Sequence, residues 1–182
     1  MTRPAIILLM GASGSGKTTL GQALARELGW HFADADDFHS PANIAKMQAG
    51  HPLDDSDRAP WLAALRHHLA QSLAEARPTV LACSALKKGY RQRLLCGLPP
   101  HAVHLVYLRG SRDLLATRLA ARTNHFMPAA LLDSQLDALE EPGPEENALV
   151  LDIAPPPAEL VSQMLKALRA PNALSHRPPP TT

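Results

Sequence analysis

Aromatic side chains are scarce: three Phe, two Trp and two Tyr make up 4% of 182 residues. A Trp/Tyr-rich recognition surface is excluded. An excess of one charge is lacking too, since 18 Lys+Arg against 17 Asp+Glu leave a formal net charge of +1. A bulk nucleic-acid binder carries a strong basic excess, so that class is set aside. The two cysteines, Cys83 and Cys96, cannot make a disulfide framework. The nine histidines fall in no His-Glu-x-x-His, and there is no Cys-x-x-Cys, so nothing argues for zinc. Long hydrophobic runs are absent. Ala5–Met10 is too short for a secretory core with its cleavage site and far too short to span a bilayer, and no later run reaches that length. The expectation is a soluble, cytoplasmic protein without nucleic-acid or membrane partners.

Ala, Leu and Val carry the apolar content, which is 46% of the chain and excludes disorder throughout. The length fits one domain able to bury about 70% of its unfolded surface. Short aliphatic runs read as buried parallel strands: Ala5–Met10, Trp30–Ala33, Thr79–Cys83, Val103–Leu108 and Ala148–Ile153. Helical patterns lie between or after them, at Thr18–Leu28, Pro60–Ala76, Ser111–Ala121 and Pro157–Ala170. Alternating strands and helices predict a three-layer αβα fold on a parallel sheet. Two long stretches break the rhythm, Phe38–Arg58 and Asn124–Pro144, and excursions of that kind are usually binding segments or lids. Prolines number 17, about twice the ~5% expectation. Several crowd residues 171–182, which read as a disordered tail. The domain therefore spans residues 1–170, with a substrate segment near 38–60 and a lid near 122–144.

Gly11-Ala12-Ser13-Gly14-Ser15-Gly16-Lys17-Thr18 matches G-x-x-x-x-G-K-[ST] between a predicted strand and a predicted helix. Glycines let the backbone curl so that N–H groups face phosphate oxygens, and the helix start adds its positive end. Lys17 is expected to reach the β- and γ-phosphates, with Thr19 just beyond the loop. The Thr18 hydroxyl is expected to bind Mg²⁺.

The second strand ends in Asp34-Ala35-Asp36-Asp37-Phe38-His39, beyond a carboxyl end where ligands bind in such sheets. Asp34 and Asp36 share a side if the strand continues that far. One carboxylate can hold a metal-bound water, and another can take the proton of an acceptor hydroxyl. Asp is also a favoured helix cap, a role that suits Asp37. Ser84 reads as the cap of a helix in which Lys87 and Arg91 share one face. Cations so near a helix start run against its dipole, a cost that makes sense if they meet an anion. An ordinary solvated basic face is the alternative. Arg118 and Arg122 precede the lid and can stack on adenine or clamp phosphate, or simply satisfy a helix end. Arg109 and Arg112 are further candidates for that work.

Together these residues resemble the gluconate kinase family of small P-loop kinases. The resemblance rests on Gly11–Thr18, on Asp34-x-Asp36-x-x-His39, and on a long block from Pro41-x-Asn43-Ile44 to Asp57-Arg58-x-Pro60-Trp61-Leu62. It continues through Cys83-Ser84-Ala85-Leu86-Lys87-x-x-Tyr90-Arg91, Arg118-Leu119-x-x-Arg122-x-Asn124-His125-Phe126, and Gln135 to Glu141-Pro142. Ala35 stands where Gly is common, and the Pro-rich tail has no counterpart. The resemblance implies ATP- and Mg²⁺-dependent phosphorylation of D-gluconate at its 6-hydroxyl, on a five-stranded sheet. Asp36 would hold the reacting hydroxyl. His39, Arg58, Lys87 and Arg91 would serve the polyol and its carboxylate. Arg118 would stack on adenine and Arg122 contact the phosphates. Members are often homodimers. The competing reading is a related kinase acting on shikimate or a nucleoside monophosphate, against which the Asn43–Leu62 block weighs. A non-enzymatic nucleotide switch is the third.

Overall fold

A computed structural model describes residues 5–121 and 130–169. Five parallel strands, β1 (Ile6–Met10), β2 (His31–Asp34), β3 (Thr79–Ala82), β4 (Val103–Arg109) and β5 (Leu149–Asp152), form one sheet ordered β2-β3-β1-β4-β5. The helices are α1 (Lys17–Leu28), α2 (Pro41–Gln48), α3 (Asp55–Ala74), α4 (Lys88–Leu95), α5 (Arg112–Ala120), α6 (Ala130–Asp137) and α7 (Pro157–Arg169). The expected three-layer α/β fold is present, and each expected strand appears within a residue or two of its predicted limits.

Every residue of β1 is fully buried because the strand lies mid-sheet with a helical layer on each face. Alternation along it divides the core. Ile7 and Leu9 pack with residues of α1, α5 and α7, while Ile6, Leu8 and Met10 pack with residues of α3 and α4. Leu8→Ala would cost about 2–5 kcal/mol through lost burial and the cavity left behind. Ile6 pairs with both Thr79 and Val103, so the carboxyl ends of β1, β3 and β4 open on the same side.

Three local expectations are corrected. Helix α3 begins at Asp55, not Pro60, because Asp54 and Asp57 form a reciprocal capping box upstream. Asp54 Oδ1 accepts from Ser56 N–H and Asp57 N–H, and Asp57 Oδ2 accepts from Asp54 N–H, each at 2.9 Å. Pro60 therefore lies inside the helix. Ser84 does not cap α4, which starts four residues later with Lys87 at its N-cap. Ala85 turns into a left-handed conformation (φ 44°), and Ser84 O accepts from Gly11 N–H at 3.3 Å. Residues 84–87 are thus a loop lying along the phosphate loop. Finally, β2 stops at Asp34, which caps the 3-10 turn Ala35–Phe38 by accepting from Asp36 N–H at 3.1 Å. The cap is Asp34, not Asp37. The expected tail at 171–182 lies outside the described residues.

Candidate active site

The loop between β1 and α1 is shaped by glycines that no other residue could replace without strain. Gly11 (φ +151°) and Gly14 (φ +84°) are in glycine-favouring conformations, and an added Cβ would sit 2.8 Å from Leu108 O and 2.9 Å from Leu115 O. Gly16, also left-handed, caps α1 with no side-chain hydrogen bond. The first-turn amides of α1 consequently face the cleft as anion donors. Lys17 Nζ donates to Gly11 O (3.0 Å) and Ala12 O (3.2 Å), which holds its charge over the loop. Ser15 is fully buried and its hydroxyl has no hydrogen-bond partner, so it points beneath the loop. Its backbone N–H donates to Ala12 O at 3.2 Å.

The cleft beyond the strand ends has a volume of about 440 Å³. One wall is Ser13, Gly14, Gly16, Lys17 and Thr18. Asp34, Asp36, His39, Arg58, Lys87 and Tyr90 also line it, and helix α6 adds Ser134, Gln135 and Ala138. Thr18 Oγ1 donates to Asp34 Oδ2 at 2.7 Å. Two hard oxygen donors beside a phosphate cradle suit Mg²⁺, which usually completes its shell with substrate phosphates and water. Among the described residues no group of three or more His, Cys, Asp or Glu could hold a metal by itself.

Asp36 lies across the cleft from Lys17 and stays reachable from its mouth. Burial of the carboxyl in the cleft raises its pKa first, the Asp34 charge raises it further, and Lys17 opposes both. His39 stacks on Trp61, with ring centroids 4.5 Å apart and planes 8° from parallel. Its Nδ1 is buried without a partner. Burial, and then the Arg58 charge, lower its pKa to about 4, so the ring is neutral near pH 7. Trp61 packs in the core as expected, and its indole N–H donates to Ala35 O at 2.7 Å, which fixes the turn carrying Asp36. Burial pushes the Cys83 thiol up to about 12, which leaves it inert as a nucleophile.

The cationic end is organised by Tyr90. The Arg58 guanidinium and the Lys87 ammonium lie 5.4 Å and 5.3 Å from its ring centroid. The Tyr90 hydroxyl and Lys87 both meet Asp55, the latter at 3.4 Å. Arg58 Nε donates to Leu53 O at 3.2 Å. Two cations thus flank one aromatic spacer at the far end of the cleft.

Arg91 is not among them, and its expected contact with substrate is corrected. Its side chain is 1% exposed and pairs with Glu146 through Nε (2.6 Å) and Nη2 (2.8 Å). Its Nη1 donates to Ala85 O, Leu86 O and Glu140 O. Lys87 and Arg91 share no helix face, because Lys87 precedes the helix. Arg118 lies outside the cleft and donates to Ile153 O at 2.7 Å, tying α5 to the end of β5. Thr19 is exposed on the first turn of α1 and does not line the cleft. Arg122 and the first part of the expected lid lie outside the described residues. Arg112 is engaged by Asp133 of α6.

Residue roles missing from the sequence reading lie mostly in the second half of the lid. Gln135 Oε1 accepts from Ser13 N–H at 2.7 Å, so α6 rests directly on the phosphate loop. Leu132 anchors the helix in the core. The partners of Arg91 and Lys88 come from the run Glu140–Glu146. Three acids there, Glu140, Glu145 and Glu146, meet Lys88 and Arg91 and were the available signal.

The family model described as an AAA domain matches residues 6–142. A gluconokinase of Gluconobacter oxydans is 42% identical over 168 residues, covering 92% of this chain and 93% of that protein. The chain belongs to the gluconokinase family. The thermoresistant gluconokinase of Escherichia coli is 39% identical over 165 residues, with 90% and 93% coverage. A gluconokinase crystal structure from Sinorhizobium meliloti superposes with a TM-score of 0.81 at 44% identity, covering 92% of this chain and 93% of that one. A shikimate kinase from Acinetobacter baumannii reaches a TM-score of 0.56 at 23% identity, a likeness of fold alone. The P-loop kinase architecture of this family implies the use of ATP.

Proposed function

We propose that this protein transfers the γ-phosphoryl group of ATP to the 6-hydroxyl of D-gluconate, giving 6-phospho-D-gluconate and ADP. The observation that carries the reading is a cleft whose lining sets Asp36 and two cations, Arg58 and Lys87, beside a phosphate cradle. Gluconate has matching ends: a reactive primary hydroxyl and a carboxylate, with hydroxyls between them. The activity named for its relatives agrees with that match.

The loop amides and Lys17 bind and orient the phosphates and neutralise charge that grows as the bond to the leaving oxygen lengthens. Asp36 accepts a hydrogen bond from the 6-hydroxyl and takes its proton as the new O–P bond forms. Its raised pKa makes it a stronger base than an ordinary carboxylate. Arg58 and Lys87 bind the substrate carboxylate, and neutral His39 exchanges hydrogen bonds with the polyol. Thr18 and Asp34 would hold Mg²⁺, which would supply shielding of the phosphate charge. Arg118 and Arg122 serve the nucleotide, as the resemblance implies. Both substrates are small and polar, and among the described residues no helix is long and apolar enough to cross a membrane; we place the work in the cytoplasm.

The test is ADP release measured across gluconate, shikimate, AMP, CMP and GMP. Gluconate is expected to be turned over far faster than the rest. Clear turnover of another acceptor with none of gluconate would overturn the proposal.

A further inference from the structure

Arg91 and Glu146 make a buried ion pair that touches neither end of the cleft. A buried pair is weak evidence for stability, since desolvation cancels much of its attraction. What this pair does supply is direction. The guanidinium receives a bidentate carboxylate on one side and spends its remaining amine on three carbonyls, Ala85 O, Leu86 O and Glu140 O, at 2.9–3.1 Å. Two of those carbonyls belong to the residues immediately before Lys87. Ala85 is held there at φ 44°, a left-handed conformation an alanine adopts only under constraint. Leu86 O also accepts from Glu140 N–H at 2.9 Å, and Lys88 N–H donates to Glu140 at 2.6 Å. Loop 84–87 is therefore clamped from both sides by Arg91 and the strap 140–146.

We propose that Arg91 and Glu146 are positioning residues that aim Lys87 at the acceptor carboxylate. The inference rests on the reading of the cleft as a gluconate site. Lys87 itself is exposed and has a long flexible stem; Tyr90 and Asp55 meet its ammonium, and the loop backbone sets where that stem starts. The same strap continues from α6, which contacts Ser13 through Gln135. One element thus touches the acceptor loop and the phosphate loop together.

A double-mutant cycle on the full-length enzyme tests this. Lys87→Ala is expected to raise the KM for gluconate about tenfold, the loss of one charged contact. Glu146→Gln is expected to raise it about fivefold, with the KM for ATP changed less than about twofold. In the Lys87→Ala background, Glu146→Gln should then change the gluconate KM by less than about twofold, because its effect runs through Lys87. Factors that multiply instead, or no effect of Lys87→Ala alone, overturn the inference. Glu140 is exposed, so if Glu146→Gln fails to fold, Glu140→Ala completes the same cycle by releasing Lys88 N–H. A parent enzyme that does not phosphorylate gluconate sinks the substrate reading as well. A parent that does, with multiplicative effects, sinks only the role given to Arg91 and Glu146.

Discussion

The two ends of the cleft are built in different ways. The phosphate end comes from one contiguous stretch, Gly11–Thr18, whose geometry is set by its own glycines and by the helix it opens. The acceptor side is assembled from the turn after β2, the start of α3 and the loop before α4. A contiguous site carries its geometry in the order of its residues. An assembled site depends on caps, loops and partners that lie far apart in sequence. The first end is what such kinases share for handling ATP, and the second decides which acceptor enters.

The sharpest way to break this contrast is to remove one charge on each side of the transferred phosphate, Lys17 from the loop and Asp36 from the acceptor side. Lys17→Ala is expected to lower kcat/KM by roughly 10³-fold, through lost stabilisation of the transferring group. Its unfolding midpoint should stay near the parent's, and near-normal turnover would reject the assignment. Asp36→Asn is expected to cut kcat about 10²–10³-fold while the KM for ATP moves little. An effect confined to ATP would move Asp36 to the nucleotide side.

Two arginines sharpen the comparison, Arg91 behind the loop that carries Lys87 and Arg58 in the cleft itself. Arg91→Ala is expected to cost about 3–5 kcal/mol in a urea melt, since it removes a fully buried side chain and leaves the half-buried Glu146 with only Gly143 N–H. Arg58→Ala should instead raise the gluconate KM about tenfold with the melt nearly unchanged. If the two swap behaviours, the placement of both is wrong.

The smallest expected effect is a slope. The folded pKa of His39 is near 4, below the 6.5 of the free side chain, so the unfolded chain binds more protons between those values. Stability linked to His39 is complete above pH 6.5 and declines as pH falls toward 4. His39→Asn should flatten that part of the stability profile. An unchanged slope would show that His39 is not held neutral by the fold.

Legibility in the sequence followed the same division. The strands and the phosphate loop were readable because their signals are local: short aliphatic runs, and glycines before Lys17. Asp36, His39 and Lys87 are legible by type and neighbourhood and Arg58 through the family resemblance, and all four line one cleft. Arg91 was misread because helical spacing from Lys87 assumed a helix that begins only at Lys88. The left-handed Ala85 that delays it has no sequence signature comparable to a glycine. Glu146 and Gln135 act across long separations, 55 residues to Arg91 and 122 to Ser13, and only the tertiary fold brings those pairs together.

The most direct test of the account follows the phosphorus itself. Proton-coupled phosphorus NMR of the reaction with ATP and gluconate is predicted to show ADP and one new phosphate ester coupled to the two protons on C6. An ester coupled to any other position, or inorganic phosphate as the only new species, would contradict it.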